Sequence, residues 1–397
     1  MSVGVLLISY TGLLEPLGQS QVLAYQENLA SERPVHILSF ERPIDLADRA
    51  KVEAVRRRIR AAGIHWHCLR YHKRPSTLAT LWDIGWGAAL GIRLARRHGL
   101  GIVHARSYVA GIMALLVKKA VGVRFLFDMR GFWVDERVDG GLWPRNGRMY
   151  RVAKWFERKL LIDADHVVSL THAGVTEMAG FDYLQDRAPP MSVIPTCADL
   201  ARFSPVADSK DEPFTLGYVG SAGTWYLFDA AVAAFGVVRR LRPDARFLII
   251  NRDAHAYIRE RLDAARVPED AVELMQASHT EVPAQMRRMH AGVFFIKPVF
   301  SKQASAPTKL AEFLGCGIPC LSNTGVGDMA QVLVGDRVGV AVDAMDPAGL
   351  ESGVSALLDL CGEQDVAERC VASARRHFSL DEGVKRYRTI YEAMASG

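Results

Sequence analysis

The stretch Lys297–Met329, KPVFSKQASAPTKLAEFLGCGIPCLSNTGVGDM, constrains this chain more than any other. An apolar run, Ala291 to Ile296, reads as a buried strand and feeds a loop of small and polar residues, which feeds a helix. Ser305 is the candidate N-cap, and Pro307 suits a first helical position, where a missing N–H costs nothing. Leu310, Phe313 and Leu314 supply the stripe that packs on a sheet, Gly315 and Gly317 end the helix, and Pro319 forbids its continuation. The spacing sets Lys309 and Glu312 one turn apart, beside that stripe and facing one crevice.

Such a helix start, Ser305 through Thr308 to Lys309, favours an anion through its free N–H groups and dipole, and Lys309 adds a full positive charge. Glu312, acceptor-only when ionised, suits two adjacent hydroxyls. Phosphate plus vicinal diol describes a nucleotide. The same letters also fit a solvated Lys/Glu pair on an ordinary helix. A second glycine turn, Gly325, Gly327 and Asp328, follows the next strand, Cys320 to Asn323, and would open on the same edge.

SAPTKLAEFLGCGIP followed by NTGVGDM resembles the nucleotide-sugar-binding segment of family 4 retaining glycosyltransferases. The opening strand and loop, VHARSY near residue 103, and VIPTCADLARFSP at the domain junction resemble that family too. The resemblance implies a GT-B fold: an α/β protein with two Rossmann-like, doubly wound parallel-sheet domains facing a cleft. It also implies a ribose contact at Glu312 and a second Glu, for the donor sugar, at a position this chain fills with Ala304. The identity of the sugar is therefore open.

A chain of 397 residues, 49% apolar and 23% charged, has room for two full cores. Its six cysteines form no CxxC pair and no zinc spacing, so a reduced cytoplasmic protein without metal or cofactor is expected. The start, MSVGVLLISYTG, reads as a first strand and not as a signal. The net charge of +5 gathers on helices, Arg56 to Arg60 on one and Arg145 to Lys159 on another.

Taken in order, strand Val3 to Ser9 and the loop Tyr10 to Gly18 start a Rossmann-like unit without GxGxxG, which disfavours a dinucleotide oxidoreductase. Gly12, Gly18, Arg106 and Tyr108 are candidates for the acceptor side. His65 and His67 alternate on one strand and are expected to pack and not to bind metal. Asp128 and Arg130 stand where the related enzymes often hold a His near the reacting sugar carbon; Arg130 can grip a phosphate or an acidic acceptor, with Asp128 orienting it. In the segment Trp143 to Leu161, Met149, Val152, Phe156 and Leu160 form a stripe expected to pack on the sheet, with contact of the basic face with an anionic membrane as a secondary reading.

The expected division is an acceptor domain 1–200, a hinge over 196–212, a nucleotide-sugar domain 201–377, and a terminal helix 378–397 returning to the first domain. In the second domain Gly220, Ser221, Gly223 and Thr224 form a loop able to admit a phosphate, lacking the Arg and Lys that the family commonly adds there. Asn251, Arg252, Gln276 and Lys297 are further donor-side candidates, and Lys309 with Asp128 and Arg130 would carry catalysis. The expected function is a hexosyl transfer of surface-polysaccharide type. It moves a sugar from a nucleotide donor to a hydroxyl of a glycan or lipid-linked acceptor, with retained configuration, in the cytoplasm or on the inner membrane face. Nucleic acid is not an expected partner. A nucleotide-sugar 2-epimerase of the same architecture and a non-catalytic binding subunit are the alternatives.

Overall fold

The computed structural model describes residues 3–205, 213–278 and 280–396; residues 206–212 of the expected hinge lie outside these. The chain divides into two compact units, Met1–Pro195 with Leu380–Gly397, and Thr196–Ser379.

The first unit is built on seven parallel strands: β1 Gly4–Ser9, β2 Val35–Glu41, β3 His65–Arg70, β4 Leu100–Arg106, β5 Arg124–Asp128, β6 His166–Ser169 and β7 Met191–Val193. Their order is β3-β2-β1-β4-β5-β6-β7. β1 and β2 are buried at every position, as strands covered on both faces require. The chain reverses direction across the sheet between β1 and β4, so the loops after those strands adjoin at the carboxyl edge. The helix Leu380–Ser396 packs here: Tyr391 Oη lies 2.7 Å from His104 Nδ1 and Tyr387 donates to Asp128 Oδ2 at 3.1 Å.

The second unit repeats the plan with β8 Thr215–Val219, β9 Arg246–Ile250, β10 Val272–Met275, β11 Ala291–Val293, β12 Cys320–Asn323 and β13 Gly339–Val342, in the order β10-β9-β8-β11-β12-β13. Its reversal falls between β8 and β11. The strand expected over 291–296 stops at Val293, because the side chain of Asn323 takes the place of a neighbouring backbone: it accepts from Ile296 N and donates to Ile296 O. The helix Thr308–Gly315 lies against β12 and buries Leu310, Phe313 and Leu314. Gly292 lets the Phe313 ring lie flat on β11, since a Cβ there would stand 2.8 Å from the ring.

One expectation fails in the first unit. The stripe Met149–Leu160 does not pack as a unit on the helix Arg148–Asp163: Met149 and Val152 are 49% and 53% exposed. The helix is rotated by Glu157, fully buried, whose carboxylate accepts from Tyr108 Oη at 2.7 Å and is paired with Lys154. His65 and His67 pack, as expected, and do so within a larger group: His36 stacks on both, with His98 against it, and His36 Nδ1 lies 3.0 Å from His67 Nε2. Burial and the neighbouring rings push the His36 imidazole down to about 4. No group of three or more His, Cys, Asp or Glu among the described residues is disposed to hold a metal ion.

Gly292→Ala forces the Phe313 ring off β11 and is expected to cost about 1–3 kcal/mol, read as a lower urea midpoint with an unchanged slope.

Candidate active site

At the reversal point of the second sheet, β8 runs into Gly220–Thr224. Gly220 (φ 103°), Gly223 (φ 84°) and Thr224 (φ 56°) all lie in the left-handed region, a run of conformations that only glycine adopts freely. The loop is tied down on both sides. Asn251 donates to Gly220 O at 2.9 Å while its carbonyl accepts from Asp253 N and Ala254 N, and Lys297 N donates to Trp225 O at 3.0 Å. Asn251, expected to touch the donor, is 4% exposed and holds the loop.

The helix carrying Lys309 begins at Thr308, and Pro307 occupies its N-cap position without any side-chain cap. Ser305, the expected cap, instead ends the short turn Phe300–Ala304, its N–H donating to Lys302 O. Pro307 fixes an extended entry, φ −67° and ψ 120°, so the helix starts two residues later than the Ser-cap reading placed it. The second glycine turn leans on the same segment: Gly327 N donates to Lys302 O at 2.9 Å, and a Cβ on Gly325 would meet Pro298 at 2.8 Å.

Lys309 does not lie beside the apolar stripe in solvent. It is 6% exposed, and its ammonium sits 3.6 Å from the centroid of Tyr226, 5.2 Å from that of Tyr218 and 5.5 Å from that of Phe294. Its Nζ has no hydrogen-bond partner among the described residues. A Cβ built on Gly220 would stand 3.2 Å from that Nζ, so the nitrogen reaches the inside of the glycine loop. Burial pushes the Lys309 ammonium down to about 7, with the Glu312 charge opposing. Burial likewise pushes the Glu312 carboxyl up to about 7, against the pull of Lys309 and Arg202. Three ring faces hold the cation by cation–π attraction and leave its N–H donors unspent, an arrangement suited to a phosphate.

The other donor-side candidates lie on the loops after β8, β9, β10 and β11. Ser221 and Thr224 are exposed, Arg252 is 84% exposed near Asp253, Gln276 donates to Arg252 O, and Lys297 is exposed. Sequence reasoning missed the cage. Trp225 and Tyr226, directly after the glycine loop, were its only signal, and Trp225 is itself covered by Lys302, 3.9 Å from its ring centre.

In the first unit the polar cluster is internal. Asp128 is 1% exposed, with Arg106 Nη1 at 3.5 Å and Arg130 Nη1 at 3.9 Å from its oxygens. Burial raises its carboxyl, but the charges of Arg130, His104 and Arg106 outweigh it, and the group stays below its ordinary value. Arg106, 7% exposed, is pushed down to about 10 by burial and by Arg130. Asp128 and Arg106 thus face the core under the terminal helix. Arg130 (φ 62°) keeps 14% of its side chain accessible. Tyr108, expected on the acceptor side, is 3% exposed and spends its hydroxyl on Glu157 and Gly131 O.

Gly12 and Gly18 are close-packing residues. A Cβ on Gly12 would meet Glu41 Oε2 at 2.3 Å, and one on Gly18 would meet Gly12 O at 2.0 Å. The buried Glu41 carboxylate accepts from Leu13 N, Leu14 N and Ser39 Oγ, so this loop's amides are already filled by a protein anion.

Residues 20–197 match the family profile described as a glycosyl transferase 4-like domain. No curated protein sequence matches the chain significantly. Among solved structures, it is similar to sucrose-phosphate synthase from Thermosynechococcus elongatus, with 16% identity, TM-score 0.74 and 99% of each chain covered. Anabaena HepE in complex with UDP-glucose is similar with 14% identity and TM-score 0.69, over 99% of this chain and 100% of that one. The lipopolysaccharide outer core galactosyltransferase WaaB in its apo form is similar with 13% identity and TM-score 0.64, over 98% of each chain. These likenesses give the fold, GT-B.

A phosphate seated on Lys309 raises its affinity for a proton, so nucleoside diphosphate binding above about pH 7 is expected to take up protons and to weaken as pH rises. Calorimetry in buffers of different ionisation enthalpy reads the uptake, and Lys309→Met should remove it.

Proposed function

We propose that this chain, a GT-B glycosyltransferase of the family 4 type, moves a sugar from a nucleotide-sugar donor to a hydroxyl of a glycan or glycolipid acceptor. The observation that carries the donor assignment is the Lys309 ammonium, buried against three aromatic rings, without a hydrogen-bond partner among the described residues, and next to the Gly220 loop. In this reading the diphosphate lies between the loop and Lys309, and Glu312 takes the ribose hydroxyls. Departure of the nucleoside diphosphate from the anomeric carbon is then assisted by a charge already in place, with no reorganisation at the moment of bond breaking. Retention of configuration, independence from metal, a role in surface-polysaccharide assembly and work at the inner membrane face belong to the same proposal. Arg130 is the acceptor-side group with access to solvent. UDP-glucose, with which HepE is in complex, is a natural first probe.

Ala304 favours a second reading. It is fully buried where the related enzymes carry a Glu for the donor sugar, which fits a subunit that binds nucleotide-sugar without turning it over. An epimerase would convert the donor with no acceptor present.

Glu312→Ala and Lys309→Ala should each weaken nucleoside diphosphate binding by about tenfold, the scale of one charged hydrogen bond. Calorimetry against a panel of nucleoside diphosphates and their sugars measures it, and unchanged affinity in both variants removes the donor assignment. Analysis of the sugar after incubation with donor alone, then with hydroxyl acceptors, separates transfer from epimerisation and from binding without turnover.

A further inference from the structure

The first unit carries a second surface that the sugar chemistry does not use. Over one face of its sheet the helices Ser76–His98, Ser107–Val121 and Arg148–Asp163 lie side by side, the middle one packed on both others. The outward side of the first helix begins apolar: Leu78, Leu81, Trp82 and Trp86 are 66%, 58%, 65% and 58% exposed. The two indoles lie parallel, 6.4 Å apart, fixed one turn from each other in open solvent. Gly85 and Ala89 continue the exposed strip, and Arg93 and Arg97 close it.

On the third helix, Met149, Val152 and Trp155 are about half exposed (49%, 53% and 56%), interleaved with exposed Arg148, Arg151 and Arg158. The two helices carry three carboxylates against these cations: Asp83 is 1% exposed, bonded to Tyr10 and His72, Glu157 is fully buried, and Asp163, the last residue of the third helix, keeps 30% of its side chain accessible and pairs with Lys159. Apolar side chains that should have been inside and arginines in excess over acids therefore share one face.

We propose that this face docks on an anionic lipid surface, with Trp82, Trp86 and the leucines entering the headgroup boundary and the arginines held by lipid phosphates. Indoles and aliphatic side chains gain from leaving water at that depth, and arginine stems cover apolar surface while their heads stay at the phosphates. The charge complement selects this occupant: a second copy related by a two-fold axis would set arginine rows against each other, whereas an anionic bilayer neutralises both. None of the described helices is long and apolar enough to cross a membrane, so the contact is peripheral. The inference deepens the proposed function only by locating its membrane contact, and its test involves no sugar, so the two fail separately.

The test is co-sedimentation of the full chain with vesicles of phosphatidylcholine alone and of phosphatidylcholine containing about one-third phosphatidylglycerol. Binding to the anionic vesicles, with a blue shift of tryptophan emission, and binding about tenfold weaker to the neutral ones is expected. The double variant Trp82→Ser with Trp86→Ser should lose binding by about tenfold, and Arg148→Glu with Arg151→Glu by at least as much. All four residues are exposed, and an unchanged urea midpoint confirms that the variants fold. No binding to anionic vesicles, or binding untouched by both double variants, overturns the proposal. So does a dimer in sedimentation velocity that the tryptophan variant dissolves, which would assign the face to a second copy.

Discussion

A cation kept out of water against a tyrosine face is the constraint on which the second unit turns. Lys309 reaches its place only because Gly220 has no side chain, because Asn251 pulls the glycine loop toward β9, and because Pro307 starts the helix at Thr308. Remove any of these and the ammonium has another way out to solvent. Burial of a cation without a carboxylate contact is costly, and the lowered proton affinity of Lys309 is that cost expressed as chemistry. The Tyr226 ring offsets part of it.

The two units answer the same topological problem differently. Each sheet reverses direction once, and each reversal gathers two loops at its carboxyl edge. In the second unit that edge holds an ammonium with unspent donors. In the first, the loop amides of Leu13 and Leu14 are taken by Glu41, and the charges of Arg106 and Asp128 satisfy one another beneath the terminal helix. An anion has a reason to settle at one edge and not at the other, which is how a duplicated plan comes to divide its labour.

Strand and helix positions were largely legible because buried parallel strands are nearly continuous apolar runs and glycine loops punctuate them. Lys309 and Glu312 were legible as a pair for the same reason: their spacing on a short helix is a local property. What surrounds Lys309 was not, since Tyr218, Tyr226 and Phe294 come from three separate segments that meet only in the folded sheet. The direction of the helix Arg148–Asp163 was misread because hydrophobic spacing assumes that polar residues face water. One buried Glu157, answered by Tyr108 and Lys154, outweighed Met149 and Val152. Tyr108 and Arg106 erred likewise: a hydroxyl and a guanidinium at a strand end look like ligand contacts until their internal partners are known.

The last helix also bears on how the molecule comes into being. Its Tyr387 and Tyr391 complete the polar interior around Asp128 and His104, yet they are made after every residue of the intervening unit. On an elongating chain the first seven strands must therefore wait for two tyrosine hydroxyls, while the unit that follows them already has all its parts. The half synthesised second is free to mature first, and the half begun first closes only once its returning helix has been made.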